Sequence, residues 1–272
     1  MKVLLTNDDG IEAEGLQTLR AALAALPDIE LVTIAPDGNR SAFARKITTH
    51  QPLWTEEIRF DDGSVGFATD GTPVDCVRFA TLGLVEGFYP ELIVSGINHG
   101  ANLGDDVTYS GTVAAALEGV LLGIPGIAAS QQSTSREMDF RWGRHFQFDT
   151  AAKFVARLAA HVGHTPLPVG TLINVNVPGD VPTGVEVTRL GKRIYRDELK
   201  LQEQGEPGRR RFSIYGESHG YKDDPGTDLA AVAAGRIAVT PLHFDLTHES
   251  GIEALGARDL SQLLEAVAPD PQ

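Results

Sequence analysis

"KVLLTNDDGIEAEGLQTLRAALAALPDIELVTIAP", residues 2–36, decides the fold. KVLLT is a short apolar run of strand type. From Glu14 onward, Leu16, Leu19, Leu23 and Leu26 fall at helical spacing, and Pro27 stops the helix. IELVTIAP is a second strand, closed by Pro36. Strand, helix, strand in quick succession is the unit of a parallel sheet, because parallel neighbours need a crossover connection. Between the first strand and the helix stand two adjacent aspartates, Asp8 and Asp9, whose like charges gain nothing from each other.

The rhythm continues to about residue 130. TPVDCVRFATLGL is helical, with Thr72 as its N-cap and Pro73 at the first position. PELIVSGIN is a third strand that runs into a glycine-rich loop, GTVAAALEGVLLG is a helix, and PGIAAS is a short strand. ITTHQPLWTEEIRFDDGSVGFATDG interrupts the pattern, and its Asp-Asp-Gly between extended runs predicts a hairpin. DTAAKFVARLAAH then reads as an amphipathic helix and TLINVNVP as a strand. Beyond them, VEVTRLGKRIYRDELK and RRRFSIYGE read as long polar ribbons, which usually pair with something, often another subunit. TDLAAVAAGRIAVTPL returns to helix and strand, and GIEALGARDLSQLLEAVA reads as one terminal helix.

The 272 residues are 42% hydrophobic and 22% charged, an ordinary globular composition. A net charge of −14 disfavours a nucleic-acid polymer or an anionic membrane as the main ligand. No apolar run approaches the ~20 residues that span a bilayer. The opening MKVLLTNDDG is too short in apolar residues for a signal peptide. The single cysteine, Cys76, allows no internal disulfide, and a cytoplasmic location is the expectation. The basic cluster Arg209, Arg210, Arg211 is either a phosphate site or a solvated face.

Parallel sheets gather ligands at the carboxyl ends of their strands. The loops there are NDDG, PDGNRSAFA and SGINHGANLGDDVTYSGT, all rich in oxygen donors and glycine. Asp8 and Asp9 form either a turn that caps the next helix or a metal site, since two close carboxylates repel unless a cation holds both. Ser41 offers a hydroxyl. Asn98 offers an amide oxygen, or is an asparagine in a left-handed turn. The set is all oxygen, which suits magnesium, manganese or calcium and disfavours zinc. Ser110, Gly111 and Thr112 open a helix and make either a phosphate cradle or an ordinary cap. No Walker lysine or dinucleotide fingerprint accompanies them. His99 is a general acid, a phosphate ligand or a plain loop histidine. A hard cation beside an anion cradle is the layout for phosphoester hydrolysis by water.

LLTNDDGI, APDGNRSA, GTPVDCV, ELIVSGINHGANLGDDVTYSGTVAAALEG and NVNVP together resemble the survival protein E (SurE) family of metal-dependent 5′-nucleotidases. The resemblance implies a Rossmann-like, mostly parallel sheet flanked by helices, with a catalytic core over residues 1–180. It implies a C-terminal region, residues 181–272, of extended hairpin ribbons and a terminal helix that builds a homodimer or homotetramer. One divalent ion per subunit, magnesium or manganese, is held at positions matching Asp8, Asp9, Ser41 and Asn98, with Asp8 and Asp9 catalytic. The resemblance implies hydrolysis of a nucleoside monophosphate, sometimes a 3′-ester or a short polyphosphate, and the reading of the residues sets Asn98, Ser110, Gly111 and Thr112 at its phosphate. The family usually has Ser-Gly where this chain has Ser41-Ala42, and glycine there eases the turn. The alternatives are a nucleotide-sugar transferase and a non-catalytic nucleotide sensor on the same fold.

Overall fold

The first strand, β1 (Lys2–Thr6), ends at the two aspartates, and α1 (Glu14–Ala24) crosses over to β2 (Glu30–Pro36). A hairpin of β3 (Thr55–Arg59) and β4 (Val65–Thr69) follows, then α2 (Pro73–Thr81) and β5 (Leu92–His99). A 3-10 turn at Gly104–Thr108 leads into α3 (Gly111–Leu121), β6 (Gly126–Gln131), α4 (Asp149–His164) and β7 (Thr171–Val177). The last third holds β8 (Gly184–Val187), β9 (Arg193–Ile194), β10 (Lys200–Gln204), β11 (Arg210–Ser213) and β12 (Gly220–Tyr221). It closes with α5 (Asp228–Ala233), β13 (Arg236–His243), α6 (Glu249–Gly256) and α7 (Ser261–Glu265). This computed structural model describes all residues except 139–144, 166, 207, 215–219 and 266–272.

Among the described residues, nine strands make one sheet in the order β3-β4-β2-β1-β5-β6-β7-β13-β8. From β4 to β7 neighbouring strands run parallel, while β3 and β13 are antiparallel to β4 and β7. β1 lies inside the sheet, so both its faces need apolar cover. Val3 and Leu5 pack with Leu16, Leu19 and Leu23 of α1 and Val155 of α4. Leu4, on the other face, packs with Cys76 and Val77 of α2 and Ala115 of α3. The strand's period of two therefore sorts its residues between two helical layers. Thr72 and Asp75 close a reciprocal capping box on α2, as the Thr-Pro opening predicts.

Two expectations need correction. VEVTRLGKRIYRDELK is not one ribbon: β8 joins the edge of the main sheet beside β13, and β9 pairs with β12. Polar contacts to distant residues bend the segment between them. Gly191 N donates to Asp228 Oδ1 at 2.8 Å, and Arg193 Nε donates to buried Asp106 Oδ2 at 2.6 Å. Among the described residues, only β10 and β11 form a hairpin apart from the sheet. The expected terminal helix is likewise two helices. α6 ends at Gly256, and Asp259 Oδ1 accepts from Ser261 N at 3.2 Å to start α7. Residues 215–217 of the second ribbon and 266–268 of the terminal helix lie outside the described residues.

Candidate functional site

β1 and β5 are parallel neighbours, so the loops that follow them emerge side by side at one edge of the sheet. Asn7 folds the first loop into a turn: its Nδ2 donates to Gly10 O at 2.8 Å and its Oδ1 accepts from Gly10 N at 3.2 Å. The turn reading and the site reading of Asp8 and Asp9 are thus compatible. Asp8 is buried, and Thr112 Oγ1, at the start of α3, donates to its Oδ1 at 2.6 Å. A Cβ on Gly111 would stand 2.7 Å from Asp8 Oδ2, so only glycine lets α3 begin this close to the carboxylate. Burial, and then the charge of Asp9, push the Asp8 carboxyl up to about 6 despite the donors from Thr112.

Asp9 has its own supports. His99 donates its backbone N–H to Asp9 Oδ2 at 3.1 Å, and His99 Nδ1 lies 2.9 Å from the same oxygen. Asn39 Nδ2 reaches Asp9 Oδ1 at 3.3 Å. The His99 ring is held edge-on by Phe146 and Phe148, with centroids 5.2 and 4.8 Å away. Burial pulls the imidazole pKa down, but the hydrogen bond and charge of Asp9, with Glu14 and Asp8 behind it, leave it raised.

Asn98, at the end of β5, is buried and donates Nδ2 to Gly100 O at 2.7 Å, which leaves Oδ1 as an acceptor. Ser41 is exposed on the loop after β2. Its amide donates to Asn39 Oδ1 at 2.8 Å, while Arg40 N donates to Asp8 O at 2.6 Å. The backbone beside Ser41 is therefore seated on the acid loop. Ala42 and Ala44, next along, sit at φ +61° and +49°, in the region that glycine adopts most easily. Ser110 Oγ accepts from Val113 N at 3.0 Å and so caps α3, the plainer of its two readings. Gly111 and Thr112 contribute the first amides of the helix.

Among the described residues no lysine or arginine pairs with Asp8 or Asp9; their donors are Thr112, Asn39 and His99. Two acids with one of them buried need more positive charge than those donors carry. The oxygens of Asp8, Asp9, Asn98 and Ser41 fit a hard divalent cation. No group of three or more His, Cys, Asp or Glu side chains placed to hold a metal occurs among the described residues.

The sequence model of the family described as survival protein SurE matches residues 3–197. The chain belongs to the SurE family. It is similar to a 5′-nucleotidase SurE of Rubrobacter xylanophilus, 49% identical over 268 residues that cover 97% of this chain and 99% of the relative. A 5′-nucleotidase SurE of Pelotomaculum thermopropionicum is 44% identical over 257 residues, 94% of each chain. The crystal structure of the SurE protein from Aquifex aeolicus superposes with a TM-score of 0.79 at 36% identity, covering 94% of this chain and 99% of that one. In this SurE chain, sequence reasoning missed what holds the acids. Thr112 lies 104 positions from Asp8 and the His99 amide 90 from Asp9, so no local pattern announces either pair. Strand order carries the signal: once β1 and β5 are neighbours, Asn98 and His99 must stand beside the acids.

Proposed function

We propose that the chain hydrolyses nucleoside 5′-monophosphates to nucleoside and phosphate, using one divalent ion per subunit, magnesium or manganese. Nucleoside 3′-monophosphates and short polyphosphate are further substrates of the same chemistry. Family membership and relatives named 5′-nucleotidase SurE support the activity and favour neither a sugar transferase nor a non-catalytic sensor. One observation carries the residue assignment: an acid pair at the carboxyl edge of the sheet, with Asp8 buried, has neutral or imidazole donors but no lysine or arginine partner among the described residues.

Asp8, Asp9, the Asn98 amide oxygen and the Ser41 hydroxyl would hold the ion. When bound, it polarises a phosphoryl oxygen and lowers the pKa of water, which supplies several kcal/mol of barrier reduction. Thr112 fixes the Asp8 carboxylate through Oδ1, and His99 fixes Asp9 through Oδ2, so both acids are oriented before substrate arrives. The start of α3 at Gly111 and Thr112, with Ser110 and Asn98 beside it, would receive phosphate oxygens. A helix terminus contributes only about 0.3–1 kcal/mol at an exposed site, so most of the charge stabilisation falls to the acid-held cation.

The same reading divides the chain into a catalytic core over residues 1–180 and an oligomerisation region over 181–272, with a homodimer or homotetramer in the cytoplasm. It is supported by exposed Val187, Leu201, Phe212, Ile252 and Leu255 in the C-terminal part. No helix among the described residues is long and apolar enough to cross a membrane.

Phosphate release from a panel of nucleotides, with and without chelator, tests the activity. Chelation and Asp9→Ala should each lower turnover by about 1000-fold, the equivalent of losing roughly 4 kcal/mol of transition-state stabilisation. Full turnover in chelator, or in the variant, overturns the assignment.

A further inference from the structure

Glu118 is a charge where the sequence of α3, GTVAAALEGVL, otherwise presents small and apolar residues. Its side chain is 1% exposed and lies between two guanidinium groups. Arg45 Nη2 reaches Glu118 Oε2 at 2.7 Å, and Arg78 of α2 reaches Oε1. Arg78 ties one helix to another and gives packing. Arg45 does something different, because it belongs to the loop that carries Ser41.

That loop runs without regular structure from Asp37 to Trp54. Its first part is fixed to the acid turn through Arg40 N and Asn39. Its later part is fixed to α2, where Thr72 Oγ1 donates to Lys46 O at 2.8 Å and Thr48 Oγ1 donates to Asp75 Oδ2 at 2.8 Å. Between these anchors lie Ser41 and the two left-handed alanines, Ala42 and Ala44. A segment in a sparsely populated conformation persists only where its surroundings over-determine it. Arg45 follows Ala44 directly and is the first anchor beyond the strained pair.

We infer that Glu118, acting through Arg45, is a positioning residue that holds the Ser41 segment against the acid turn. α3 then grips the site twice, at Thr112 on Asp8 and, about 9 Å further down the helix, at Glu118 on the Ser41 loop. The first grip orients a carboxylate; the second sets where the exposed hydroxyl donor stands. The inference rests on the reading of Asp8, Asp9 and Ser41 as cation donors, and the experiment separates the two.

Arg45→Met cuts the loop tie while leaving the Arg78–Glu118 pair, and Arg78→Met does the reverse. Two readouts are taken on full-length protein: the rate of chymotryptic cleavage after Phe43 without metal, and the Kd for Mn²⁺ by calorimetry. Arg45→Met should speed cleavage by about fivefold, because local opening governs access. It should raise the Kd by about tenfold, the usual size of an outer-sphere defect. Arg45→Lys should restore part of both, and Arg78→Met should leave both within about twofold, since Glu118 keeps its Arg45 partner and the loop tie stays in place. The inference is overturned if Arg45→Met cleaves and binds like wild type, or if Arg78→Met matches it, in which case Glu118 serves packing alone. A wild-type protein that takes up no Mn²⁺ overturns the cation reading instead, and the cleavage comparison then decides the tie by itself.

Discussion

Two loops meet at the same sheet edge and are built in opposite ways. The loop after β1 is buried and held from three directions: by Thr112 on Asp8, and by His99 and Asn39 on Asp9. The loop after β2 is exposed at Ser41 and passes through two left-handed alanines. The acids are thus fixed ahead of any ligand, whereas the hydroxyl depends on a strained segment tied down by a distant ion pair. With the acids and Ser41 as the proposed cation donors, a site of this kind would separate the donors that set affinity from the one that can still adjust.

The comparison breaks most sharply at Thr112. Thr112→Val keeps the shape of the buried side chain and removes the donor to Asp8. Loss of such a support should lower kcat/KM and Mn²⁺ affinity by about 10- to 100-fold, while Ser41-side variants do less. Steady-state kinetics and calorimetry on the same preparation check this.

A smaller effect comes from pH. With Asp8 pushed up to about 6, chiefly by burial and then by Asp9, a proton competes with the cation for the same carboxylate. Mn²⁺ affinity should therefore fall by about tenfold between pH 7 and pH 5. Because the folded pKa lies above the ordinary carboxylate value, the associated stability of metal-free protein is full below that ordinary value and is lost as pH rises through about 6. The gain in melting temperature on adding Mn²⁺ should accordingly be larger at about pH 7.5 than at about pH 5, as thermal scans at both pH values will reveal.

The smallest effect is at Ala42, whose φ of +61° burdens a side chain with a glycine's conformation. Ala42→Gly removes a cost of about 1–2 kcal/mol and adds up to about 1 kcal/mol of chain entropy. The melting temperature should rise by about 2 °C, with kcat/KM within about twofold of wild type. A fall in stability would show that the segment is not strained at this position.

How much of this could be read beforehand follows from how far each signal reaches. The β1–α1–β2 unit, the β3–β4 hairpin and the Thr72–Asp75 cap depend on residues a few positions apart, and the sequence shows them. Asp8, Asp9 and Asn98 were visible because strand ends in a parallel sheet converge. The bending of residues 185–200 was not, because Arg193 finds Asp106 and Gly191 finds Asp228 only after the fold has formed. Glu118 escaped notice for the same reason: in a helix read by its apolar rhythm, one acid looks like a solvated side chain until Arg45 and Arg78 arrive.

β13 enters the sheet between β7 and β8, although both precede it in the chain. A nascent polypeptide can form the parallel strands from β4 to β7 early, but β7 keeps a bare hydrogen-bonding edge until residues 236–243 emerge from the ribosome. Shortening the gene from its 3′ end past that point would leave an open seam, and the product should aggregate rather than yield a smaller enzyme.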